Sequence, residues 1–497
     1  MSELIYDIAE PRASAMVESL RAFGYNIQTA ISDLVDNSIS AGAKNVWLSF
    51  YWDGTNSHVL IRDDGHGMTE SQLIEAMRLS GQSPTEKRDP NDLGRFGLGL
   101  KTASFSQCRR LTVASRAENQ EIAIRRWDLD YVYQVDQWRL LHTPAEGSIE
   151  KFNDLKGMIH GTTVLWECLD RIVGEAKPND HKAKDDFLET IEVVENHLAM
   201  VFHRYLEKRD PLKIWIGQYP IEPWNPFLPD VQTTQFLPIE LLPFKGEIVT
   251  IQPYVLPHHS KISSEIYNKA AGIKGWNAQQ GFYVYRNERL LVAGDWLGLG
   301  YQKDEHHKLS RIQLDLPNSM DSEWNIDVKK SSTRPPSSLK VELKRIARLT
   351  RQRAAEIYHH RGKILLSKSA DKFIFPWDRK LRRGKIFYAV NQEHPLVKEV
   401  LNFPDIYRPA IRALLRLLEE TVPVQQIWLD NSTEPEKETQ PFDGTASEEI
   451  LEVMVQIYHI LRKSGINEDQ ARDQILSMEP FQHFETLAKN LSDSLIN

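Results

Sequence analysis

Cysteine and long apolar runs are the two features that this sequence has least of. Its 497 residues include two cysteines, Cys108 and Cys168, and no C-x-x-C motif, which excludes a disulfide framework and a cysteine-bound zinc cluster. No run of 18 apolar residues occurs, so we expect no membrane-spanning helix, and the first residues lack the pattern of a signal peptide. The length exceeds one ordinary domain. We therefore expect a cytoplasmic, multidomain protein that has no membrane partner.

The net charge of −8 conceals two regions of opposite sign. Residues 329–385 contain 18 Lys and Arg against 4 Asp and Glu, a local charge of +14. Residues 431–497 contain 13 acidic residues against 5 basic ones, a local charge of −8. Neutralisation of phosphates by Lys and Arg is the main source of non-specific DNA affinity. The basic region therefore indicates either DNA binding or a helical stalk whose arginines pair with the acidic C-terminal segment.

Hydrophobic periodicity divides the chain into regions of different secondary structure. Helical spacing predicts helices, and short alternating runs predict strands between them; the helices are expected over 20–42, 71–79, 185–208 and 338–370. Helices and strands joined mostly by hairpins indicate layers of α+β type. We expect four regions: an α+β domain at 1–208, a second domain at 209–336, a basic helical region at 337–430, and a polar linker with an acidic helical segment at 431–497.

The first candidate site is the segment DLVDN (33–37) on the first predicted helix. Asp33 and Asn37 are four residues apart, so their side chains share a helix face, whereas Asp36 points about 100° away from Asn37. An acid and an amide on one face can together hold a water molecule and a hard cation. Alone the pattern is weak, because an acidic helix face is usually only solvated.

Three further segments place polar groups or glycines at the ends of predicted elements. The segment DDGHGM (63–68) follows a strand; its carboxylates can accept a base amino group, and its glycines let the backbone approach a flat ligand. The segment GRFGLGLKT (94–102) precedes a helix, whose N-terminal N–H groups favour phosphate. Leu100 separates the last glycine from Lys101, so the spacing of a P-loop fails. The segment GTTV (161–164) opens a later strand.

Together and in this order, the four segments resemble the motifs of the GHKL ATPase superfamily, which contains type II topoisomerase ATPase subunits, the large heat-shock chaperone, histidine kinases, MutL and the MORC proteins. AISDLVDNSISAGA (30–43), IRDDGHGM (61–68) and GRFGLGLKTAS (94–104) are most similar to MORC and MutL. The likeness is specific over about 1–210 and looser to about 335. It implies an α+β protein with an N-terminal two-layer α/β sandwich that binds ATP, a second α/β transducer domain and a mostly helical C-terminal region.

The resemblance also implies roles for particular residues. Asp63 would accept the adenine amino group with Gly67 and Thr163 beside the base, and Asn37 would bind the Mg²⁺ that bridges the phosphates. Residues 81–99 would form a lid over ATP. The implied nucleotide-binding residues are Asn37, Asp63, Gly65, Gly67, Met68, Gly94, Phe96, Gly97, Leu98, Gly99, Lys101, Thr102 and Thr163.

Two catalytic positions follow from the same resemblance. Asp33 would be the general base that orients water toward the γ-phosphate. The family usually has glutamate there, and aspartate leaves the carboxylate roughly 1–1.5 Å further back. A misplacement of about 1 Å can cost on the order of 10²-fold in rate, so either hydrolysis is slow or the helix lies closer. Lys330, with Lys329 as the second choice, would reach the γ-phosphate from the transducer domain, unless both lysines are simply solvated.

The function that the resemblance implies is an ATP- and Mg²⁺-dependent ATPase that dimerises with ATP and acts on or clamps DNA through residues 329–385. Family association alone adds a prokaryotic DNA-defence or restriction-associated role, with nuclease or methyltransferase partners. The alternatives are an ATP-switched protein-binding scaffold and a heat-shock-type chaperone, neither of which would bind DNA. A sensor histidine kinase fits poorly, because those proteins place the ATP domain after a phosphoacceptor helix.

Overall fold

The computed structural model describes residues 11–22, 24–79, 99–272, 274–317, 320, 323–324, 333–359, 374, 376–382, 385–404, 406–422, 447–478, 480–481 and 484–493. The chain divides into two compact units, which comprise residues 1–359 and 360–497. The mixed α+β class and the two-layer arrangement of the N-terminal part, both expected from the sequence, are confirmed.

The first sheet has seven strands: β1 (Asn45–Tyr51), β2 (His58–Asp63), β3 (Arg110–Arg116), β4 (Ala123–Asp128), β5 (Gly161–Glu167), β6 (Lys213–Ile216) and β7 (Tyr219–Pro220). Their order across the sheet is β4-β3-β5-β2-β1-β6-β7. Strands β1 and β6 are parallel, and the other neighbours are antiparallel. Strand β6 lies beyond residue 208 and still belongs to this sheet. The predicted domain boundaries at 208, 336 and 430 stay predictions.

Eight helices of the described residues belong to this first layer: α1 (Ala13–Arg21), α2 (Ile27–Ser40), α3 (Glu70–Met77), α4 (Gly99–Phe105), α5 (Leu129–Val135), α6 (Asn153–Lys156), α7 (His181–Val201) and α8 (His203–Leu206). One face of the sheet meets α2, where Leu34 and Val35 pack with Val46 and Ile61 in the main core. The opposite face is covered near α6, where Leu155 packs with strand residues in a smaller cluster.

The helix predicted over 20–42 is in fact two helices, and this prediction was wrong. The first ends at Arg21 and the second begins at Ile27. Gly24 has a φ of +65°, a conformation that a helix interior does not contain. Asn26 then caps the second helix, because its side chain accepts a hydrogen bond from the N–H of Thr29 at 3.0 Å. The break places Tyr25 beside the helix that carries Asp33.

The second sheet has six strands: β8 (Gln235–Phe236), β9 (Glu240–Phe244), β10 (Glu247–Val255), β11 (Gly281–Arg286), β12 (Arg289–Asp295) and β13 (Ser310–Leu316). Five of them lie in the order β12-β11-β13-β10-β8, and β9 pairs with β10. Short helices α9 (Ser264–Ala271) and α10 (Gly275–Ala278) precede β11. A long basic helix, α11 (Lys340–His359), packs Leu343, Ile346 and Ala347 into the core of this sheet.

The second unit contains a hairpin and several helices. The hairpin pairs β14 (Trp377–Arg382) with β15 (Lys385–Val390). It is followed by α12 (Pro395–Leu401), by α13 (Arg408–Thr421), and by helices at Ser447–Lys463, Glu468–Leu476 and Glu485–Lys489. The last three helices share a core around Met454, Ile457 and Ile475. The expected mostly helical C-terminal region is confirmed.

Over the parts of the chain that the structure describes, no helix combines the length and the apolar character needed to cross a membrane. The cytoplasmic location expected from the sequence stays a prediction.

Candidate nucleotide-binding site

Asp63 ends strand β2 with its carboxyl group buried against helix α2. Its Oδ1 accepts a hydrogen bond from the N–H of Gly65 and its Oδ2 accepts one from the hydroxyl of Ser38, each at 2.9 Å. Burial raises the pKa of Asp63, while the hydrogen bonds from Gly65 and Ser38 oppose that rise. A carboxylate has about four lone-pair sites, so this group can accept a further donor such as the amino group of a base.

The loop after Asp63 depends on two glycines. Gly67 has a φ of +67°, and a Cβ there would lie 1.9 Å from the carbonyl oxygen of Arg116. A Cβ at Gly65 would lie 2.7 Å from the Cβ of Ala41. Larger residues are therefore excluded at both positions, because real Cβ atoms do not approach other heavy atoms within 3.0 Å and neither neighbour is the far end of a flexible side chain. The next residue, Met68, donates its N–H to the hydroxyl of Ser115 at 2.8 Å.

The sheet register places Thr162 on the Asp63 face and corrects the expectation for Thr163. In the antiparallel pair of β2 and β5, Asp63 lies opposite Thr162 and Arg62 lies opposite Thr163. Directly opposed residues project to the same face of a sheet, and successive residues alternate. Thr163 therefore projects to the other face, and Thr162, whose hydroxyl pairs with that of Ser115 at 2.9 Å, takes its place in the candidate site.

Helix α2 carries three polar side chains in different environments. Asp33 is buried, with its Oδ2 accepting a hydrogen bond from the Tyr25 hydroxyl at 2.9 Å and its Oδ1 lying 3.8 Å from Nη2 of Arg289. Asp36 is also buried and accepts a hydrogen bond from Nε of Arg289 at 2.8 Å. Asn37 is exposed. Both carboxylates therefore lie beside Arg289, with Asp36 in the tighter contact, and the role of Asp33 as the base stays a prediction.

Gly99 begins helix α4 close to Asp33. A Cβ at Gly99 would lie 3.8 Å from Oδ2 of Asp33, so the first turn of α4 faces this carboxylate. Thr102 is buried in the same helix, with its hydroxyl 3.5 Å from the carbonyl oxygen of Gly99. The structure thus brings two of the predicted phosphate-contacting residues to the helix that carries Asp33 and Asn37.

Lys101 is buried within helix α4, with 3% of its surface exposed. Its Nζ donates a hydrogen bond to the carbonyl oxygen of Ala76 at 2.8 Å. Burial lowers the pKa of Lys101 to about 8, and the nearby Glu75 carboxylate opposes the shift. An ammonium group has three donors, so Lys101 can keep the Ala76 contact and still donate to an anion.

Several predicted residues lie outside the part of the chain that the structure describes. They are Gly94, Phe96, Gly97 and Leu98 of the predicted lid, and the predicted transducer lysines Lys329 and Lys330. Their implied roles stay predictions.

The structure adds contacts that the sequence analysis did not identify. Ser38 contacts Asp63, Ser115 contacts the glycine loop and Thr162, and Tyr25 contacts Asp33. His160 also reaches this loop, since its Nδ1 lies 2.7 Å from the carbonyl oxygen of Gly65. A signal existed for Ser38, which is a hydroxyl residue on the otherwise apolar face of a predicted helix.

The described residues fit a nucleotide with Mg²⁺ on the chemistry of their donors. The carboxyl group of Asp63 supplies a buried acceptor for the base. Ser38 of helix α2 donates a hydrogen bond to it, and the same helix carries Asn37 and Asp33. No cluster of three or more His, Cys, Asp or Glu side chains that could hold a metal ion occurs among the described residues. Mg²⁺ commonly keeps several waters and binds one or two protein oxygens together with substrate phosphates. An exposed amide such as Asn37 suits that kind of site.

Comparison with known proteins agrees with this geometry. Residues 25–162 match the family model described as histidine kinase-, DNA gyrase B- and HSP90-like ATPase. The chain is 33% identical over 97 residues to the DNA mismatch repair protein MutL of Buchnera aphidicola, 28% over 90 residues to ATPase morc-1 of Caenorhabditis elegans, and 30% over 105 residues to the chaperone protein HtpG of Rickettsia canadensis. These matches cover 18–19% of this chain and 10–16% of the relatives' lengths.

Residues 25–162 thus match a domain of the GHKL type, and the resemblance stated from the motifs is confirmed. The segment contains Asp33, Asn37, Asp63, Lys101 and both glycines of the loop after β2. The remainder of the chain lies outside the matched segment of the family model.

Proposed function

We propose that this protein is an ATPase that hydrolyses ATP to ADP and phosphate with Mg²⁺. One observation carries the proposal: helix α2 joins a buried acceptor for a base to a buried carboxylate for hydrolysis. Ser38 of α2 contacts Asp63 at 2.9 Å, and the preceding turns of the same helix carry Asn37 and Asp33. Gly99, which opens the next helix, lies beside Asp33. Base recognition and phosphate chemistry are therefore built on one rigid element.

The residues divide the work as follows. Asp63 accepts the adenine amino group, and the Thr162 hydroxyl lies on the same sheet face. The amide oxygen of Asn37 would hold Mg²⁺, and the ion would supply neutralisation of the phosphate charge. The Lys101 ammonium and the N–H groups at the start of α4 favour the phosphates electrostatically. Asp33 orients the attacking water and accepts its proton.

The short side chain of Asp33 is held in place by its neighbours. Its two oxygens face the Tyr25 hydroxyl and the Arg289 guanidinium respectively, so its rotamer is fixed on both sides. Phosphoryl transfer depends on positioning and electrostatic stabilisation more than on covalent chemistry. We therefore expect measurable but slow turnover, because the carboxylate of aspartate reaches less far than that of the glutamate usual at this position.

The ATPase proposal is tested with the full chain in a phosphate-release assay and a separate ATP-binding titration. Asp33→Asn is expected to lower turnover at least about 100-fold, the usual contribution of a positioned base, while the ATP Kd stays within about threefold. Asn37→Ala is expected to lose the Mg²⁺ dependence of ATP binding. Glu118→Gln, an exposed substitution outside the site, serves as the control. Wild-type turnover in Asp33→Asn would overturn the assignment of the base.

We further propose that ATP drives dimerisation and that the dimer acts on DNA. Support comes from the basic helix α11, where Lys340, Lys344 and Arg348 are exposed at intervals of four residues. No carboxylate among the described residues forms an ion pair with these three side chains. Similarity to proteins named for DNA mismatch repair favours the same substrate. Lys330, or Lys329, is proposed as the contact from the second domain to the γ-phosphate.

A role in prokaryotic DNA defence or restriction, with nuclease or methyltransferase partners, is the most specific form of this proposal. It rests on the likeness of the motifs to MORC and MutL proteins. Its test is co-purification of a nuclease or methyltransferase with the chain from its native host, and an ATP-dependent change in that partner's activity.

The second candidate function is an ATP-switched protein-binding module without DNA binding. One observation favours it: helix α13 leaves Leu414, Leu417 and Leu418 exposed, although its apolar residues recur at helical spacing. Similarity to the chaperone protein HtpG points the same way. Client binding that depends on ATP, in a protein that fails to bind DNA in every nucleotide state, would select this function instead.

A further inference from the structure

A tight turn of the second sheet reaches the helix that carries Asp33. Strands β11 and β12 are joined by Asn287 and Glu288, which have φ angles of +46° and +64°. Positive φ at both positions is the signature of the two-residue hairpin turn. Arg289 is the first residue after the turn and the first of β12. The hairpin therefore presents Arg289 at its tip.

Arg289 is buried between two carboxylates of helix α2. Its Nε donates to Oδ1 of Asp36 at 2.8 Å, and its Nη2 lies 3.8 Å from Oδ1 of Asp33. Its Nη1 donates to the carbonyl oxygen of Leu290 at 3.2 Å, which ties the guanidinium to its own strand. Only 3% of Arg289 is exposed, so this charge acts without the screening that solvent gives to surface pairs.

The contact leaves the opposite side of Asp33 facing the nucleotide site. Oδ1 faces Arg289, whereas Oδ2 accepts from Tyr25 and lies near the start of helix α4 at Gly99. Movement of the β11–β12 hairpin would therefore turn or release the carboxylate that we propose as the base. Asp63 receives its two hydrogen bonds from Gly65 and Ser38, both outside the second sheet. Base recognition does not depend on the hairpin in this way.

We propose that Arg289 is a positioning residue through which the second sheet controls hydrolysis. The arginine holds Asp36 directly and fixes the orientation of Asp33, so this one contact from the second sheet sets the rate of the chemical step and leaves ATP binding nearly unchanged. This inference rests on the proposed ATPase function. It concerns the same site and adds a control element from a different sheet.

The test compares Arg289→Gln and Arg289→Lys with the wild-type full chain. A misplacement of about 1 Å costs on the order of 10²-fold in rate, so Arg289→Gln is expected to lower kcat by about 10- to 100-fold. The ATP Kd is expected to change less than about threefold. Arg289→Lys keeps the charge but loses the fork geometry, and it is expected to recover part of kcat.

Arg204→Gln is the matched control. Arg204 of α8 also pairs with the second sheet, with Asp315 at 2.5 Å and Glu288 at 3.3 Å, and its guanidinium lies 3.6 Å from the ring centroid of Tyr285. Within the described part of the chain, its side chain contacts neither Asp33 nor Asp36. Loosening the two sheets in general would lower kcat in both variants, whereas the positioning role lowers kcat only at Arg289.

Three results would overturn the inference. They are a wild-type kcat in Arg289→Gln, an equal loss of kcat in Arg204→Gln, and a rise in the ATP Kd that matches the loss of kcat. Thermal unfolding of each variant is measured in parallel. Should Arg289→Gln fail to fold, Arg289→Lys carries the test, and an unchanged kcat in that variant overturns the role. Absence of turnover in the wild-type chain would instead defeat the ATPase proposal, and this inference with it.

Discussion

Thr162 and Thr163 are neighbours in strand β5, yet their side chains lie on opposite faces of the sheet. The hydroxyl of Thr163 is buried without a hydrogen-bond partner among the described residues. A buried hydroxyl without a partner costs about 1–3 kcal/mol, so Thr163→Val is expected to raise the free energy of unfolding by about 1 kcal/mol. Thermal and denaturant unfolding measure this change. ATP binding is expected to stay at the wild-type level.

Thr162→Val provides the contrast. The Thr162 hydroxyl pairs with Ser115 on the Asp63 face, so its loss is expected to weaken ATP binding by about fivefold to tenfold, the equivalent of one hydrogen bond. The opposite result, in which Thr163→Val weakens binding and Thr162→Val does not, would restore the assignment made from the sequence and contradict the register.

We expect Lys101 to make ATP binding depend on pH. Burial lowers its pKa to about 8, and a bound triphosphate stabilises the charged ammonium, which raises that pKa in the complex. A group whose pKa rises on binding takes up a proton when it was neutral in the free protein. ATP affinity is therefore expected to be highest below pH 8 and to fall by up to about tenfold per pH unit above it. Calorimetric titrations in buffers of different ionisation enthalpy measure the uptake.

The matched variant is Lys101→Met, which keeps the length and the apolar stem. It is expected to bind ATP more weakly at pH 7 and to show no change of affinity around pH 8. Persistence of the full pH dependence in this variant would assign the proton to another group.

At the residue scale, the sequence was sufficient to predict site residues that lie within a few positions of one another in the chain. Asp33 and Asn37 share a helix face, and Asp63 with Gly65 and Gly67 forms one loop, so local spacing was sufficient. The strand register places Thr162, and not the predicted Thr163, on the face of Asp63, and local spacing cannot choose between two adjacent threonines. Arg289 is 253 residues from Asp36, and no local pattern connects them.

Among the elements, helix α2 shows both the value and the limit of periodicity. The recurrence of Ala30, Ile31, Leu34 and Val35 predicted its buried face, and all four are buried. The beginning of the helix was predicted too early, because the end of α1 has a similar apolar spacing and runs into it. Gly24, which allows the break between the two helices, and Asn26, which caps the second one, are the residues that mark where helix α2 begins.

Helix α11 separates its basic residues by face. Arg345 pairs with Glu240 and Glu342, and Arg351 pairs with Asp304, so these arginines secure the helix to the second sheet. Lys340, Lys344 and Arg348 form an exposed stripe. The paired carboxylates belong to this same unit and not to the acidic C-terminal segment that the stalk interpretation named. The DNA-binding interpretation stays a prediction, and it rests on the exposed stripe.

Neutralising the stripe is expected to weaken DNA binding and to reduce its salt dependence. Each phosphate neutralised contributes about 0.9 to the slope of log K against log salt. The triple variant Lys340→Gln, Lys344→Gln and Arg348→Gln is expected to lower that slope by about 2 to 3 units. A fluorescence anisotropy titration of duplex DNA over a salt series measures it.

The control carries the same charge change on helix α7 and the loop before it. Lys177→Gln, Lys182→Gln and Lys184→Gln remove three exposed lysines, and the slope is expected to stay at the wild-type value. Equal losses in both triple variants would show that total charge, and not the stripe, governs binding. Phosphate release without DNA is expected to be unchanged in both.

At the scale of the whole molecule, the candidate ATP site and the basic stripe belong to the same unit of residues 1–359. The stripe lies on a helix that packs against the second sheet, and Arg289 of that sheet contacts the helix of the candidate base. The proposed ATP hydrolysis and the proposed DNA binding can therefore influence each other through the second sheet, provided that its position differs between nucleotide states. A ligand shifts such an equilibrium only by its differential affinity for the two states.

This coupling predicts that ATP, and not ADP, converts the protein into a dimer that stays on closed circular DNA. Sedimentation with each nucleotide measures the dimer, and a high-salt wash of circular and linearised DNA measures topological retention. Asp33→Asn is expected to bind ATP without hydrolysing it, and therefore to remain on circular DNA longer than the wild type. Asn37→Ala is expected not to be retained.

Linearising the DNA after loading distinguishes a closed ring from simple charge attraction. A ring slides off a free end, whereas electrostatic binding weakens with salt equally on circular and linear DNA. Equal retention on circular and on linearised DNA would therefore exclude the clamp but not DNA binding itself. Failure to bind DNA in every nucleotide state would assign the stripe on α11 a different role, and the exposed leucines of α13 would become the surface on which an ATP-switched partner is sought.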